Sequence, residues 1–187
     1  MAVKSNLTNM VLVLTLTCLV CSALLAGAYA ITKEPMEAAA KAKTEKSLAS
    51  VLPEFESVTE KAAGEVRYFE AVKDTSVVGY AIESSVIGFG GPLTIMVGIT
   101  PDGSVWNTSV LSHSETPGLG AKCTSDTKFV RQWKGFNPSE KILSVKKDGG
   151  DIDAITASTI TSRAYTLAVS KAVDCWKSLQ REGGENE

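Results

Sequence analysis

Gly88–Ser112 reads GFGGPLTIMVGITPDGSVWNTSVLS. Gly88-Phe89-Gly90-Gly91-Pro92 is turn chemistry. Leu93–Ile99 is an almost unbroken apolar run of strand length. Pro101-Asp102-Gly103 combines a preset backbone angle, a local hydrogen-bonding side chain and a residue free to adopt positive φ. Val105–Leu111 then returns as a second strand. A short turn between two such runs predicts an antiparallel hairpin rather than a crossover to a parallel strand.

The chain on either side supports a sheet with helices added. Upstream, Val66–Val72 and Ser76–Ser85 read as two further strands. Pro35 to about Leu52 is rich in Ala, Lys and Glu, a helix-forming composition, and Pro53 ends it. Downstream, the loop His113–Gly120 leads to a segment Phe129–Phe136, a short strand Ile142–Lys146 and a turn at Asp148-Gly149-Gly150. A last helix begins near Thr159 or Thr161. Its apolar positions Ile160, Ala164, Leu167, Ala168, Cys175, Trp176 and Leu179 recur at mostly helical spacing. The predicted class is α+β: an N-terminal transmembrane helix, then a mainly antiparallel sheet domain with flanking helices. The expected organisation is a membrane anchor over residues 1–31, a connecting helix over 32–55, a folded domain over 56–182 and a disordered tail over 183–187.

The anchor rests on Met10–Ala30, MVLVLTLTCLVCSALLAGAYA, which carries no charge. At about 1.5 Å per residue it is long enough to cross a hydrocarbon core. A signal peptide cleaved after Ala30 is the rival, with Ala28-Tyr29-Ala30 as the cleavage pattern. The length favours a retained span. Lys4 precedes it, and Lys33, Lys41, Lys43 and Lys46 follow, so a count of flanking lysines would keep the domain in the cytoplasm. Long domains can cross regardless of charge, and the residues leave orientation open. A net charge of −2 gives no basic footprint for nucleic acid.

Several motifs read as structure. Gly88–Gly91 is followed by Pro92 and a strand, not a helix, so it is no dinucleotide fingerprint. Cys18 and Cys21 share one face of an apolar span, where they pack as small side chains. Cys123 and Cys175 could pair in an oxidising compartment. His113 is the chain's one histidine, without companions spaced for a metal, and no metal site or catalytic triad is expected. The loop Glu115-Thr116-Pro117-Gly118-Leu119-Gly120 could bring backbone amides near a ligand, although Gly/Pro loops are usually structural. Asp153–Val169, DAITASTITSRAYTLAV, places Thr156, Ser158, Thr159 and Thr161 where a helix begins. Hydroxyls there cap helices. The same free amides also suit a phosphate.

Taken together, His113-Ser-Glu-Thr-Pro-Gly-Leu-Gly120 and Asp153-Ala-Ile-Thr-Ala-Ser-Thr-Ile-Thr-Ser162 resemble the FMN-binding domain shared by the G subunit of the Rnf electron-transport complex and the C subunit of the sodium-translocating NADH:quinone reductase. That family's attachment motif reads Asp-x-x-Ser/Thr-Gly-Ala-Thr. Asp153, Thr156 and Thr159 match it, while Ala157 and Ser158 replace its Gly-Ala pair. The compact length resembles the Rnf protein more than its longer quinone-reductase counterpart.

The resemblance implies a membrane-anchored flavoprotein subunit of a ferredoxin:NAD oxidoreductase complex coupled to ion translocation, with no stand-alone activity. It implies FMN joined through its phosphate to Thr159 by a flavin transferase. Thr156, Ala157, Ser158, Ile160 and Thr161 would surround the phosphate and ribityl chain. Glu115, Thr116, Gly118, Leu119 and Gly120 would line the flavin pocket, and Asp153 would shape the motif. Partners would be the other membrane subunits, with no direct NAD binding. The domain would lie outside the bacterial cytoplasmic membrane. The alternatives are the FMN-binding subunit of a quinone reductase and a flavin-free, membrane-tethered binding module in which Thr159 is a plain cap.

Overall fold

The structure is a computed structural model, described here for residues 6–64 and 66–184. Its first helix, α1, runs from Leu7 to Val51 without a break at Pro35. The expected anchor and connecting helix are therefore one element. Its apolar N-terminal window is exposed throughout and is long and apolar enough to cross a membrane. The chain divides between Lys43 and Thr44 into two compact units, and the second contains the sheet.

Five strands follow in order: β1 (Ser57–Ala63), β2 (Val66–Lys73), β3 (Ser76–Ile87), β4 (Pro92–Ile99) and β5 (Val105–His113). Each pairs antiparallel with its neighbour in the sequence, giving one meander. The hairpin read from Gly88–Ser112 is β4 against β5, with Ile95 opposite Val110 and bulges at Thr94/Ile95 and Gly98/Ile99. β1 was not anticipated. Its sequence SVTEKAA lacks apolar alternation because it is an edge strand with mostly exposed side chains. Cross-strand ion pairs hold it instead, Lys61 to Glu70 and Arg67 to Glu60 at 2.9 Å. Charged side chains of this kind also deter pairing with other chains at an edge.

β4 is almost wholly apolar because both faces of the sheet are covered. Leu93, Ile95, Val97 and Ile99 point to one side, where they join Ala168, Val169, Ala172 and Val173 of the last helix, α3 (Thr159–Gly184). Met96 points to the other, with Phe69, Ala71 and Ala81, beneath Leu48, Val51 and Leu52. Alanines on α3 let its backbone come close to the sheet. The buried stripe is Ala164, Tyr165, Ala168, Val169, Ala172 and Val173. Ile160 and Leu167, expected in that stripe, are about half exposed, because each lies off the face set by these small residues.

Between β5 and α3 the chain forms a 3-10 turn (Gly120–Thr124), a short helix α2 (Thr127–Arg131) and a second 3-10 turn (Lys146–Asp148). The Asp126 side chain caps α2 by accepting from the amides of Lys128 and Phe129. An aromatic cluster anchors this region. Tyr165 stacks on Trp133 at 5.2 Å between ring centroids, with Phe129 edge-on to both. The Tyr165 hydroxyl donates to Thr108 Oγ1 at 2.8 Å. Ile142–Lys146, expected as a strand, makes only one bridge, Val145 to Ile152. Its remaining hydrogen bonds are local, including Ile142 N–H to the Asp151 carboxylate at 2.7 Å. Of the expected disordered tail, residues 183 and 184 belong to α3, while 185–187 lie outside the described residues.

The end of α1 comes close to the sheet at Gly98: a Cβ there would run into the Val51 carbonyl. Gly98→Ala is expected to destabilise the domain by about 1–3 kcal/mol, the usual cost of overpacking, seen as a lower denaturation midpoint.

Candidate functional site

The Glu115 carboxylate is 5% exposed and organises the region around it. It accepts from the amides of Phe89 (2.8 Å) and Gly90 (3.3 Å) and from the Thr161 hydroxyl (3.0 Å). A buried carboxylate is costly unless its oxygens find donors. Here the donors come from the turn before β4 and from the first turn of α3. The turn closes on itself through Gly88 N–H to the Gly91 carbonyl at 2.8 Å. Gly120 leaves the space Glu115 needs, since a Cβ there would run into the Glu115 carboxylate and lie 2.7 Å from Thr161 Oγ1.

The carboxylate thus joins the two segments singled out in the sequence, and a cavity of about 350 Å³ opens between them. Glu115, Thr116, Leu119 and Gly120 line one side and Ala157, Ser158, Thr159, Ile160 and Thr161 the other. Two residues expected around the cofactor lie outside the lining: Gly118 shapes the loop with a left-handed φ of +76°, and Thr156 is exposed. Asp153, expected to shape the motif, pairs with Lys146 at 2.7 Å. Two lining or rim residues were missed. Phe89 lines the cavity although its side chain is 66% exposed; GFGG was read only as a turn. Lys147 donates to Thr159 Oγ1 at 3.2 Å, and no local pattern in the sequence points to that contact.

The hydroxyls divide into distinct roles. Ser162 Oγ accepts from Ile155 N–H and donates to the Ser158 carbonyl, both at 2.9 Å. Thr161 is committed to Glu115. Ser158 stands at the cap position, and its carbonyl accepts from Ser162 N–H at 3.0 Å. Its own hydroxyl is buried and has no hydrogen-bond partner among the described residues. Nor does any acceptor among them meet the amides of Thr159, Ile160 and Thr161. The capping expected of this stretch is left unmade, and the start of a 26-residue helix keeps its partial positive charge at the cavity.

Ala157 has φ +60°, a left-handed conformation that costs a Cβ-bearing residue roughly 1–2 kcal/mol. No disulfide joins Cys123 and Cys175. Burial, and secondarily the nearby Glu115 charge, push the Cys123 thiol from 9.0 up to about 11. Among the described residues no group of three or more His, Cys, Asp or Glu could hold a metal ion.

Residues 88–174 match the family model described as FMN-binding domain. The chain is 34% identical to the G subunit of the proton-translocating ferredoxin:NAD(+) oxidoreductase complex of Clostridium ljungdahlii, over 86% of both chains. It is 31% identical to the G subunit of the ion-translocating oxidoreductase complex of Methanosarcina acetivorans, over 93% of this chain and 96% of that one. Among solved structures, the C subunit of the Na(+)-translocating NADH-quinone reductase of Parabacteroides distasonis superposes with a TM-score of 0.47 at 20% identity, covering 71% of this chain and 79% of that one.

Two outcomes are expected. Ala157→Gly removes the strained conformation and raises stability by about 1 kcal/mol, less whatever the freer unfolded chain takes back, measured by chemical denaturation. Because the Cys123 value is raised on folding, its contribution is complete below 9.0 and is lost as pH rises to about 11. Stability measured across that window should fall, and fall less steeply in Cys123→Ala.

Proposed function

The chain belongs to the family of G subunits of ion-translocating oxidoreductase complexes, and we propose that it serves such a complex as an electron carrier, through FMN held covalently at Thr159. The carrying observation is the meeting of two separate segments at one cavity, with the Thr159 hydroxyl in its lining. The residues present fit the cofactor. A buried hydroxyl without a partner, uncapped amides and a nearby ammonium suit the phosphate. Phe89, Leu119 and Ile160 offer apolar surface to the ring system.

FMN supplies the one-electron chemistry when bound. The chain's part is to position it. In attachment the Thr159 oxygen would form a new bond to the FMN phosphorus of a flavin dinucleotide held by the transferase. The anhydride bond to AMP would break, and the hydroxyl proton would leave to solvent. The Glu115 clamp would hold both cavity walls, and Asp153, through Lys146, would fix the approach to the motif.

α1 makes the chain a single-pass membrane protein of a multi-subunit oxidoreductase. We place the flavin domain on the outer face of the cytoplasmic membrane, with the other membrane subunits as electron partners and no NAD site on this chain. Ester attachment suits that face, where lost FMN would be hard to replace.

The test is intact-mass measurement of the full chain produced with a flavin transferase. Wild type should gain the mass of FMN less water and fluoresce in a denaturing gel, and Thr159→Ala should do neither. An unmodified wild-type chain would leave the flavin-free binding module as the better reading.

A further inference from the structure

We propose that Lys147 is the phosphate-pairing residue of this cavity, its ammonium acting with the Ser158 hydroxyl and the free amides of α3 on the phosphodiester at Thr159. This rests on Thr159 as the site of FMN attachment. Three consecutive residues of one 3-10 turn each engage the attachment stretch. Lys146 pairs with Asp153 at 2.7 Å, Lys147 reaches Thr159 Oγ1 at 3.2 Å, and Asp148 accepts from Arg163 at 2.7 and 2.5 Å. Gly149, with φ +83°, closes the turn by donating to the Lys146 carbonyl at 3.2 Å. The two outer pairs thereby hold the turn against the motif, with Lys147 between them.

Charge complementarity separates Lys147 from its neighbours. Lys146 and Arg163 already have carboxylate partners. Among the described residues Lys147 makes no direct ion pair, acting on the Asp148 carboxylate only through space, and its one side-chain hydrogen-bond acceptor is a neutral hydroxyl. Lys146, Lys147, Asp148, Asp153 and Arg163 together carry one surplus positive charge, while the Glu115 carboxylate in the same cavity wall is already engaged by Phe89, Gly90 and Thr161. A phosphodiester carries one negative charge at neutral pH. The Ser158 hydroxyl, 7% exposed and unpartnered in the cavity lining, provides an independent sign of a missing ligand atom.

The experiment uses the full chain in detergent with flavin transferase and a flavin dinucleotide donor, comparing wild type with Lys147→Met, Lys147→Arg and Lys147→Glu. Intact mass gives the rate of loading. Melting temperatures of the loaded and unloaded forms give the stabilisation that attachment brings. Lys147→Met should load roughly tenfold more slowly, the worth of one charge-assisted hydrogen bond, and should lose most of the rise in melting temperature. Lys147→Arg should restore both, and Lys147→Glu should lose both. Unloaded forms should melt together, because Lys147 is exposed. Wild-type loading and stabilisation in Lys147→Met would overturn the role of Lys147 and leave Thr159 as the attachment point. Slow loading with the stabilisation intact would also overturn it, assigning Lys147 to recognition by the transferase. An unloaded wild-type chain would overturn the flavin reading and this inference together.

Discussion

The buried carboxylate of Glu115 is the constraint around which the site is built. A carboxylate withdrawn from water requires donors, and these come from elements far apart in the sequence. Two are amides of the turn that begins β4, and one is a hydroxyl in the first turn of α3. The turn, the loop and the helix end are therefore joined through one group. Glycines at 88 and 120 keep clear the space the carboxylate occupies. Replacing either would press on the same group that holds the cavity walls together.

The approach of α3 to the sheet completes the arrangement. Ala164, Ala168 and Ala172 permit close packing, and Tyr165 fixes the helix through its ring contacts with Phe129 and Trp133 and its bond to Thr108. With the helix held from behind, its N-terminus does not need a side-chain cap to stay formed. Thr161, Ser162 and Thr166 satisfy themselves internally or against Glu115. Ser158 and Thr159 are left to face the cavity. Capping and anion binding draw on the same amides, and here tertiary packing releases them from the first role.

The meander and the last helix were legible because their signals are local: apolar runs, the Pro-Asp-Gly turn and helical spacing. β1 was invisible for the physical reason that an exposed edge has no apolar face to announce it. Ile142–Lys146 carried strand-forming residues but found no neighbouring strand, and tertiary context decided against propensity. The two lining segments were brought together by the resemblance that their residues carry, since local pattern alone reads one as a structural loop and the other as a helix cap. Phe89 and Lys147 were not legible, because each reaches the site through a contact set by folding. The positive φ at Ala157 is likewise a conformation that glycine adopts more readily, a feature that spacing alone does not reveal.

The double covering of β4 bears on where this protein can be divided. Leu48, Val51 and Leu52 form the lid over Phe69, Ala81 and Met96, although Leu48 and Val51 belong to the same continuous helix as the apolar span and Leu52 follows directly. A water-soluble fragment that starts at β1 would bare that face of the sheet and offer it to other chains. One that starts at Thr44 keeps the lid and leaves behind the greasy span. The membrane-proximal stretch of this molecule is thus shared property: its first part belongs to the lipid, its last turns to the fold.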